Sequence, residues 1–479
     1  MQRSIPIIIS LALSAVATQA RAGGFVTAHF AGELGHVATD HPTAIYFNPA
    51  GLALGTGTRI YAEGLLAWRT VEYRRPEGAI SNQVPDDSGA GTPDSGVAAN
   101  SGKATLSNIA ASPFAGVVSD FGVPNLGVGV AFYVPFGGQA SWDKNDDFED
   151  NQQFPGAVDG VQRWATIDGE LRSLYATLAG AYRFPGAGLS VGVGVNFTQS
   201  NVFTVRARTP QGNDDLVNSS GNVVEGRSLI DVSGFAMAAS AGVDWEPMPG
   251  LTIGASYQSQ PGFGNSTQSG TLTNKFGANS TDPSNIRFEQ ELPDIARLGV
   301  RYRATEQLEV RLSGDFQRWS VFENQCLLDE DADPDAKCRL EENGSEPEEL
   351  AGMQSIIVNI PRQWKNTFGV RGGASWFFTP ELEVNGGVHF DTSAVPDKTI
   401  DASLLDMNKV FARAGVRWAA MPDQLLLALT VNNVFYLKRT VDPRDDGDIG
   451  TVAPSTVPDG AGTYKSNVLF LNLGAEYRF

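Results

Sequence analysis

From residue 58 onward the chain runs in fourteen segments of 10–18 residues in which apolar and polar side chains alternate. In an extended strand successive side chains point to opposite faces, so this rhythm is that of β-structure with one greasy and one polar surface. From Leu308, residues Leu308, Val310, Leu312 and Phe316 take one face, and Glu309, Arg311, Ser313, Asp315 and Gln317 the other. From Leu382, the apolar set Leu382, Val384, Val388 and Phe390 opposes Glu383, Asn385, His389 and Asp391. The connectors alternate as well. Short turns such as Gly122-Val123-Pro124-Asn125, Phe184-Pro185-Gly186-Ala187 and Met421-Pro422-Asp423 are interleaved with long polar stretches such as 76–105, 210–227, 324–362 and 440–465. A soluble sandwich has no reason to make every second connector long. A closed barrel in a bilayer does, because its two ends face different compartments.

Segment starts fall near Thr58, Ser107, Leu126, Gln162, Leu189, Ser228, Leu251, Arg287, Gln307, Gln363, Glu381, Lys409, Gln424 and Ser466. The even count, the long connectors on one side and the arginines on the polar faces (Arg297, Arg301, Arg311, Arg371, Arg413 and Arg417) favour a membrane barrel with its apolar face on lipid. A polar lumen can pair those arginines with Glu309, Asp315, Glu383 and Asp391. The expected fold is all-β: a 14-stranded antiparallel transmembrane β-barrel, with loops after odd strands extracellular.

The first residues read as an export signal at 1–22. Arg3 is the basic start, Ile5 to Val16 is mostly apolar, and Ala20-Arg21-Ala22 is an A-x-A cleavage site before Gly23. Residues 23–57 do not alternate, yet are apolar enough to need burial. The only large cavity available is the barrel lumen, so this segment is expected to be a hatch, or plug, with the barrel proper spanning 58–479. The formal charge of -19 argues against a nucleic-acid partner. Eleven of the acids lie between Glu323 and Leu350, a solvated loop that also holds both cysteines, Cys326 and Cys338. In an exported chain these are expected to form a disulfide. The crowd of His29, His36 and His41 lacks supporting ligands, and no metal site, cofactor or catalytic residue is expected. His389 sits on the lumen face, away from where a lipid hydrolase would need its base.

Combined with the barrel, the stretch Asp40-His41-Pro42-Thr43-Ala44-Ile45-Tyr46-Phe47-Asn48-Pro49-Ala50-Gly51-Leu52 after a Gly-Phe start resembles the FadL/TodX-type outer-membrane transporters. Leu292-Pro293-Asp294, Trp319-Ser320 with Phe322, and Phe390-Asp391-Thr392-Ser393-Ala394-Val395-Pro396 agree with it, so the likeness runs from Gly23 to Phe479. The resemblance implies passive uptake of long-chain fatty acids or hydrocarbons across a Gram-negative outer membrane, without an enzyme activity. Capture would occur between extracellular loops, where Phe148, Phe154 and Trp164 follow strand three and Phe263 and Phe276 follow strand seven. A pocket inside the barrel would then hold the molecule.

The hatch, with Phe25, Asn48, Pro49 and Ala50, would gate the pocket. Exit would be sideways at a kink in strand three, where Pro135, Gly137 and Gly138 interrupt the ladder. Alignment through Gly192-Val193-Gly194-Val195-Asn196-Phe197 puts Arg206 at the ligand head-group position. A second basic residue is not clearly matched; Ile360 falls near it and Lys365 lies five residues on. That departure keeps aromatic and alkane hydrocarbons open beside fatty acids. A surface adhesin or receptor barrel is the alternative of another class, but it would need neither hatch nor kink. Partners implied are hydrophobic small molecules, outer-membrane lipid and the barrel-assembly machinery, the last through the terminal aromatic Phe479. A monomer is expected.

Overall fold

A computed structural model describes residues 29–479 apart from 87, 277–278, 281 and 334–336. Fourteen strands build one antiparallel ring. They are β1 (Thr58–Arg75), β2 (Gly102–Ser119), β3 (Leu126–Ser141), β4 (Asp168–Phe184), β5 (Leu189–Arg208) and β6 (Gly226–Met248). Four strands follow in two pieces each: β7 (Leu251–Gln258 and Thr267–Phe276), β8 (Ser284–Glu289 and Ile295–Arg303), β9 (Leu308–Gln317 and Asn324–Asp329) and β10 (Ile356–Pro361 and Thr367–Thr379). Four more strands complete the ring: β11 (Leu382–Asp391), β12 (Lys409–Met421), β13 (Leu425–Tyr436, resuming at Arg439–Val441) and β14 (Gly462–Arg478). β14 pairs with β1 from Arg59 opposite Arg478 to Arg74 opposite Thr463, which closes the ring.

The alternation works inside out relative to a soluble protein. Leu298 and Leu312 are 62% and 57% exposed on the outer face, whereas Arg311, Glu383 and Arg413 are buried within. The lumen arginines pair as expected only in part. Arg311 reaches Glu309 at 2.8 Å and Glu383 at 3.6 Å, and Arg417 reaches Glu383 at 2.8 Å. Three others reach the N-terminal segment instead: Arg301 meets Asp40 at 2.8 Å, and Arg371 and Arg413 meet Glu33 at 3.2 and 3.6 Å.

Residues 29–55 form short turns of 3-10 and α-helix (Gly32–Leu34, Ala44–Phe47 and Pro49–Leu54) and are almost wholly buried against the inner faces of the strands. Close approach is possible because glycines face them. A Cβ at Gly127 of β3 or at Gly192 of β5 would overlap the backbone of Leu52 or Pro49. The strand breaks coincide with turn and aromatic sequences: Pro261-Gly262 in β7, Leu292-Pro293-Asp294 in β8, Trp319–Val321 in β9 and Arg362–Asn366 in β10. Since β7 continues to Phe276, Phe263 and Phe276 do not follow that strand. Phe263 lies in its interruption, on the barrel wall, and Phe276 closes its second piece. Cys326 and Cys338 are disulfide-bonded, tying the second piece of β9 to its loop.

Candidate functional site

Strand β3 is where the wall fails. It pairs with β2 only from Phe114 opposite Tyr133 to Ser119 opposite Val128, although β2 stays paired to β1 along its whole length. On its other side β3 follows β4 throughout, with one irregularity: two residues, Val134 and Pro135, face one, Leu174, between Tyr133 opposite Tyr175 and Phe136 opposite Ser173. This is a β-bulge, and Pro135 brings no N–H to it. Beyond the bulge Gly137 and Gly138 pair regularly with Arg172 and Leu171 of β4. The bend carries the outer half of β3 away from β2. Just past the end of β3 the Asp143 N–H donates to the Thr105 carbonyl of β2 at 2.9 Å. Across the opening, Asn108 Nδ2 lies 3.5 Å from the Gln139 carbonyl.

Behind this opening lies a cavity in the outer half of the lumen. Gly138, Gln139 and Ala140 of β3 form one wall, and Leu171, Val202, Phe203, Ile360 and Leu404 supply apolar surface. Arg206 and Arg362 both line it. Arg362 is engaged: it donates to Gln325 Oε1 at 2.6 and 2.8 Å, to Ser403 at 3.1 Å and to Asp401 at 2.8 Å. Burial disfavours the Asp401 carboxylate, but Arg362 and the hydrogen bonds of Ser403 and Leu404 hold its pKa below the usual range. Arg206 is only 6% exposed and forms no hydrogen bond or ion pair with a described residue; its Nε is enclosed without a partner. An unpaired buried cation is costly, and an anion placed in this cavity would offset that cost. Lys365, by contrast, is exposed and lines none of these cavities. The residue that stands beside Arg206 is Arg362, two positions after Ile360. Sequence spacing missed it because β10 breaks there and re-aims its side chains.

The hatch reaches the same interior. Asn48 Nδ2 donates to the carbonyls of Val37 at 2.8 Å and Val243 of β6 at 3.0 Å, and its Oδ1 accepts from the Ala50 N–H at 3.1 Å. Pro49 starts the short helix Pro49–Leu54, where a missing N–H costs nothing. Arg371 donates to the Gly32 and Gly35 carbonyls, both at 2.6 Å. Burial opposes ionisation of Glu33, but the guanidiniums of Arg371, Arg413 and Arg311 hold its pKa below the ordinary range. On the other side Glu63 of β1 accepts from the Ala31 N–H at 2.8 Å. Phe30 and Tyr46 pack on Tyr133 with ring centroids 5.5 and 5.4 Å apart, joining the hatch to the residue just before the bulge. Phe25 lies outside the described residues.

The loop aromatics behave differently from one another. Phe154 and Trp164 are both 3% exposed, in a small loop core with Ala99, Ala157, Ala207 and Leu216, against which Phe148 packs part-buried. Trp164 is fixed there because its Nε1 donates to Asn100 at 2.9 Å and Arg163 lies over its ring at 4.8 Å. These two therefore present no open surface. Phe263 is 64% exposed.

A closed fourteen-stranded barrel with an inner N-terminal segment, an apolar cavity and a gap in its wall defines an outer-membrane barrel for transport. The chain belongs to the OMPP1/FadL/TodX family of outer membrane protein transport proteins, whose model matches residues 13–479. Membership places it among outer-membrane transporters of hydrophobic compounds. Solved structures share the fold at low identity. A Pseudomonas aeruginosa FadL homologue is 17% identical, with 96% of this chain and 100% of that chain covered and a TM-score of 0.71. The P. putida toluene transporter TodX is 13% identical (91% and 94% covered, TM-score 0.61). The Ralstonia pickettii toluene transporter TbuX is 15% identical (95% and 98% covered, TM-score 0.59). No curated protein matches the chain in sequence.

Proposed function

We propose that this protein carries long-chain fatty acids inward across the outer membrane by diffusion, with the carboxylate on Arg206 and the chain directed to the gap between β2 and β3. The observation that carries this reading is Arg206: a buried, unpartnered guanidinium in a largely apolar cavity whose wall is the outer half of β3. A carboxylate there gains a charge-assisted hydrogen bond, and Arg362 adds positive potential while remaining tied to Asp401. Each methylene kept out of water is worth about 0.8 kcal/mol, so an apolar path that opens toward lipid suits the tail better than a wet pore. Rearrangement of the hatch around Asn48, Pro49 and Ala50 would connect the cavity to the gap at Pro135. Phe25 belongs to the same gating proposal. Exposed Phe263 is kept as a first contact for the ligand, and exposed Phe479 as the contact for barrel assembly.

The second reading is a neutral aromatic hydrocarbon, favoured by the two similar structures described as toluene transporters. Such a molecule would leave Arg206 unpaired. Uptake of labelled oleate and of toluene, each by cells lacking their own transporter and supplied with this chain, separates the two. Oleate uptake supports the proposal; toluene uptake without oleate uptake overturns it.

A further inference from the structure

Outside the fatty-acid cavity, three side chains converge on a point where a fourth is missing. Asp315 on β9 stands opposite Gly369 on β10, and Gly369 stands opposite Asp391 on β11. His389, two residues before Asp391, shares its lumen face. The side chains of the two outer strands lean over the glycine between them. A Cβ at residue 369 would lie 2.5 Å from Asp315 Oδ2, 2.5 Å from Asp391 Oδ1 and 2.9 Å from His389 Nε2. These three donor atoms all fall within 4.8 Å of one another. His389 Nε2 is 2.6 Å from Asp391 Oδ1 and 4.0 Å from Asp315 Oδ2, while its Nδ1 is enclosed with no hydrogen-bond partner.

The nearby cations are committed elsewhere. Lys409 pairs with Asp406 at 2.7 Å, Arg413 faces Glu33, and Arg297 lays its guanidinium 4.6 Å over the Tyr46 ring of the hatch. Asp315 has one donor, Gln317 Nε2 at 2.8 Å on its other oxygen. Asp391 is 7% exposed and its Oδ1 finds no well-aligned donor. The His389 ring is held flat against Phe411, with centroids 4.8 Å apart and planes 20° apart. A half-buried carboxylate, a buried one and an imidazole thus face a gap that none of these cationic side chains fills.

We infer that Asp315, His389 and Asp391 form a binding site for a divalent transition-metal ion such as zinc, on the wall between two inner cavities. One nitrogen and two carboxylate oxygens are a donor set such ions accept. Bonds of about 2.0–2.2 Å set neighbouring donors roughly 3–3.5 Å apart, so His389 and Asp391 would part slightly while Asp315 closes in on them. Asp315 and His389 line the cavity beside the hatch, and Asp391 lines the next one outward, so the ion would clamp β9 to β11 across β10. The site is independent of which molecule is carried.

The test uses the full chain, purified in detergent and stripped with chelator, and equilibrium dialysis against Zn²⁺. One equivalent is expected to bind saturably, and Co²⁺ in its place is expected to give visible d–d absorption. Gly369→Ala keeps all three donors but sets a methyl group under 3 Å from each, which forces them apart; His389→Ala removes the nitrogen. Each should weaken binding roughly ten- to hundred-fold or more. Absence of saturable Zn²⁺ binding overturns the assignment. So does equal binding by the parent and both variants, which would place the metal elsewhere in the chain.

Discussion

Replacing Arg206 with methionine should separate acids from otherwise equal molecules. The side chain is buried, lines the apolar cavity and has no partner to lose, so Arg206→Met removes an uncompensated charge from the empty protein and should not destabilise it. With a carboxylate bound, the same change removes a charge-assisted hydrogen bond worth about 1.5–3 kcal/mol, which is roughly 10- to 150-fold in affinity. Arg362 sets where in that range the loss falls. It already serves Gln325, Ser403 and Asp401, so it can turn to the ligand only by giving up those bonds. Calorimetric titration of the purified barrel with dodecanoate and dodecanol is the assay. The acid should weaken by that factor in Arg206→Met, the alcohol should change by less than about threefold, and Arg206→Lys should recover most of the acid's affinity. An equal loss for acid and alcohol, or no loss for the acid, would refute the head-group assignment.

Three further outcomes follow from the hatch and the gap. Glu33→Gln leaves Arg371 and Arg413 buried without their shared carboxylate, and should loosen the hatch by about 3–5 kcal/mol, seen as faster amide exchange over residues 29–55 with the strands unchanged. Burial lowers the His41 pKa to about 4, below an unfolded value near 6.5, with Arg417 and Arg59 opposing protonation and Glu476 favouring it. The undocked hatch therefore binds the extra proton, and docking should weaken by up to about 3 kcal/mol as pH falls from 6.5 to 4. Amide exchange corrected for intrinsic rates reads this, and a hatch equally protected at pH 7 and pH 5 contradicts it. A disulfide between Asn108→Cys and Gln139→Cys would bridge β2 to β3 across the opening; ligand uptake should fall when it forms and return on reduction, whereas undiminished uptake would move the exit elsewhere.

Much of the fold was legible because a barrel in lipid has no freedom in its alternation. Strands beginning at Thr58, Leu126, Leu189, Leu251 and Lys409 start where the pattern starts, because a one-residue slip would turn a whole polar face to the bilayer. The breaks in β7 to β10 were hidden. Pro261-Gly262 and Leu292-Pro293-Asp294 interrupt the pairing, yet both strands resume it a few residues later under the long loops. The same breaks concealed Arg362 and made Lys365 the apparent second cation. Phe154 and Trp164 read as open aromatic surface because burial of a loop by other loops leaves no periodic trace. The group over Gly369 was invisible for a related reason: its members are brought together by strand register, not by sequence spacing.

The central claim is that an acidic amphiphile lies with its head on Arg206 and its tail at the break between β2 and β3. A crystal structure with a fatty acid brominated at its methyl end tests this most directly. Carboxylate density is expected within hydrogen-bonding distance of Arg206, with an anomalous bromine peak beside Pro135 and Gly138. Bromine at the arginines, or ligand density confined to the loop surface with the cavity empty of it, would rule out this orientation.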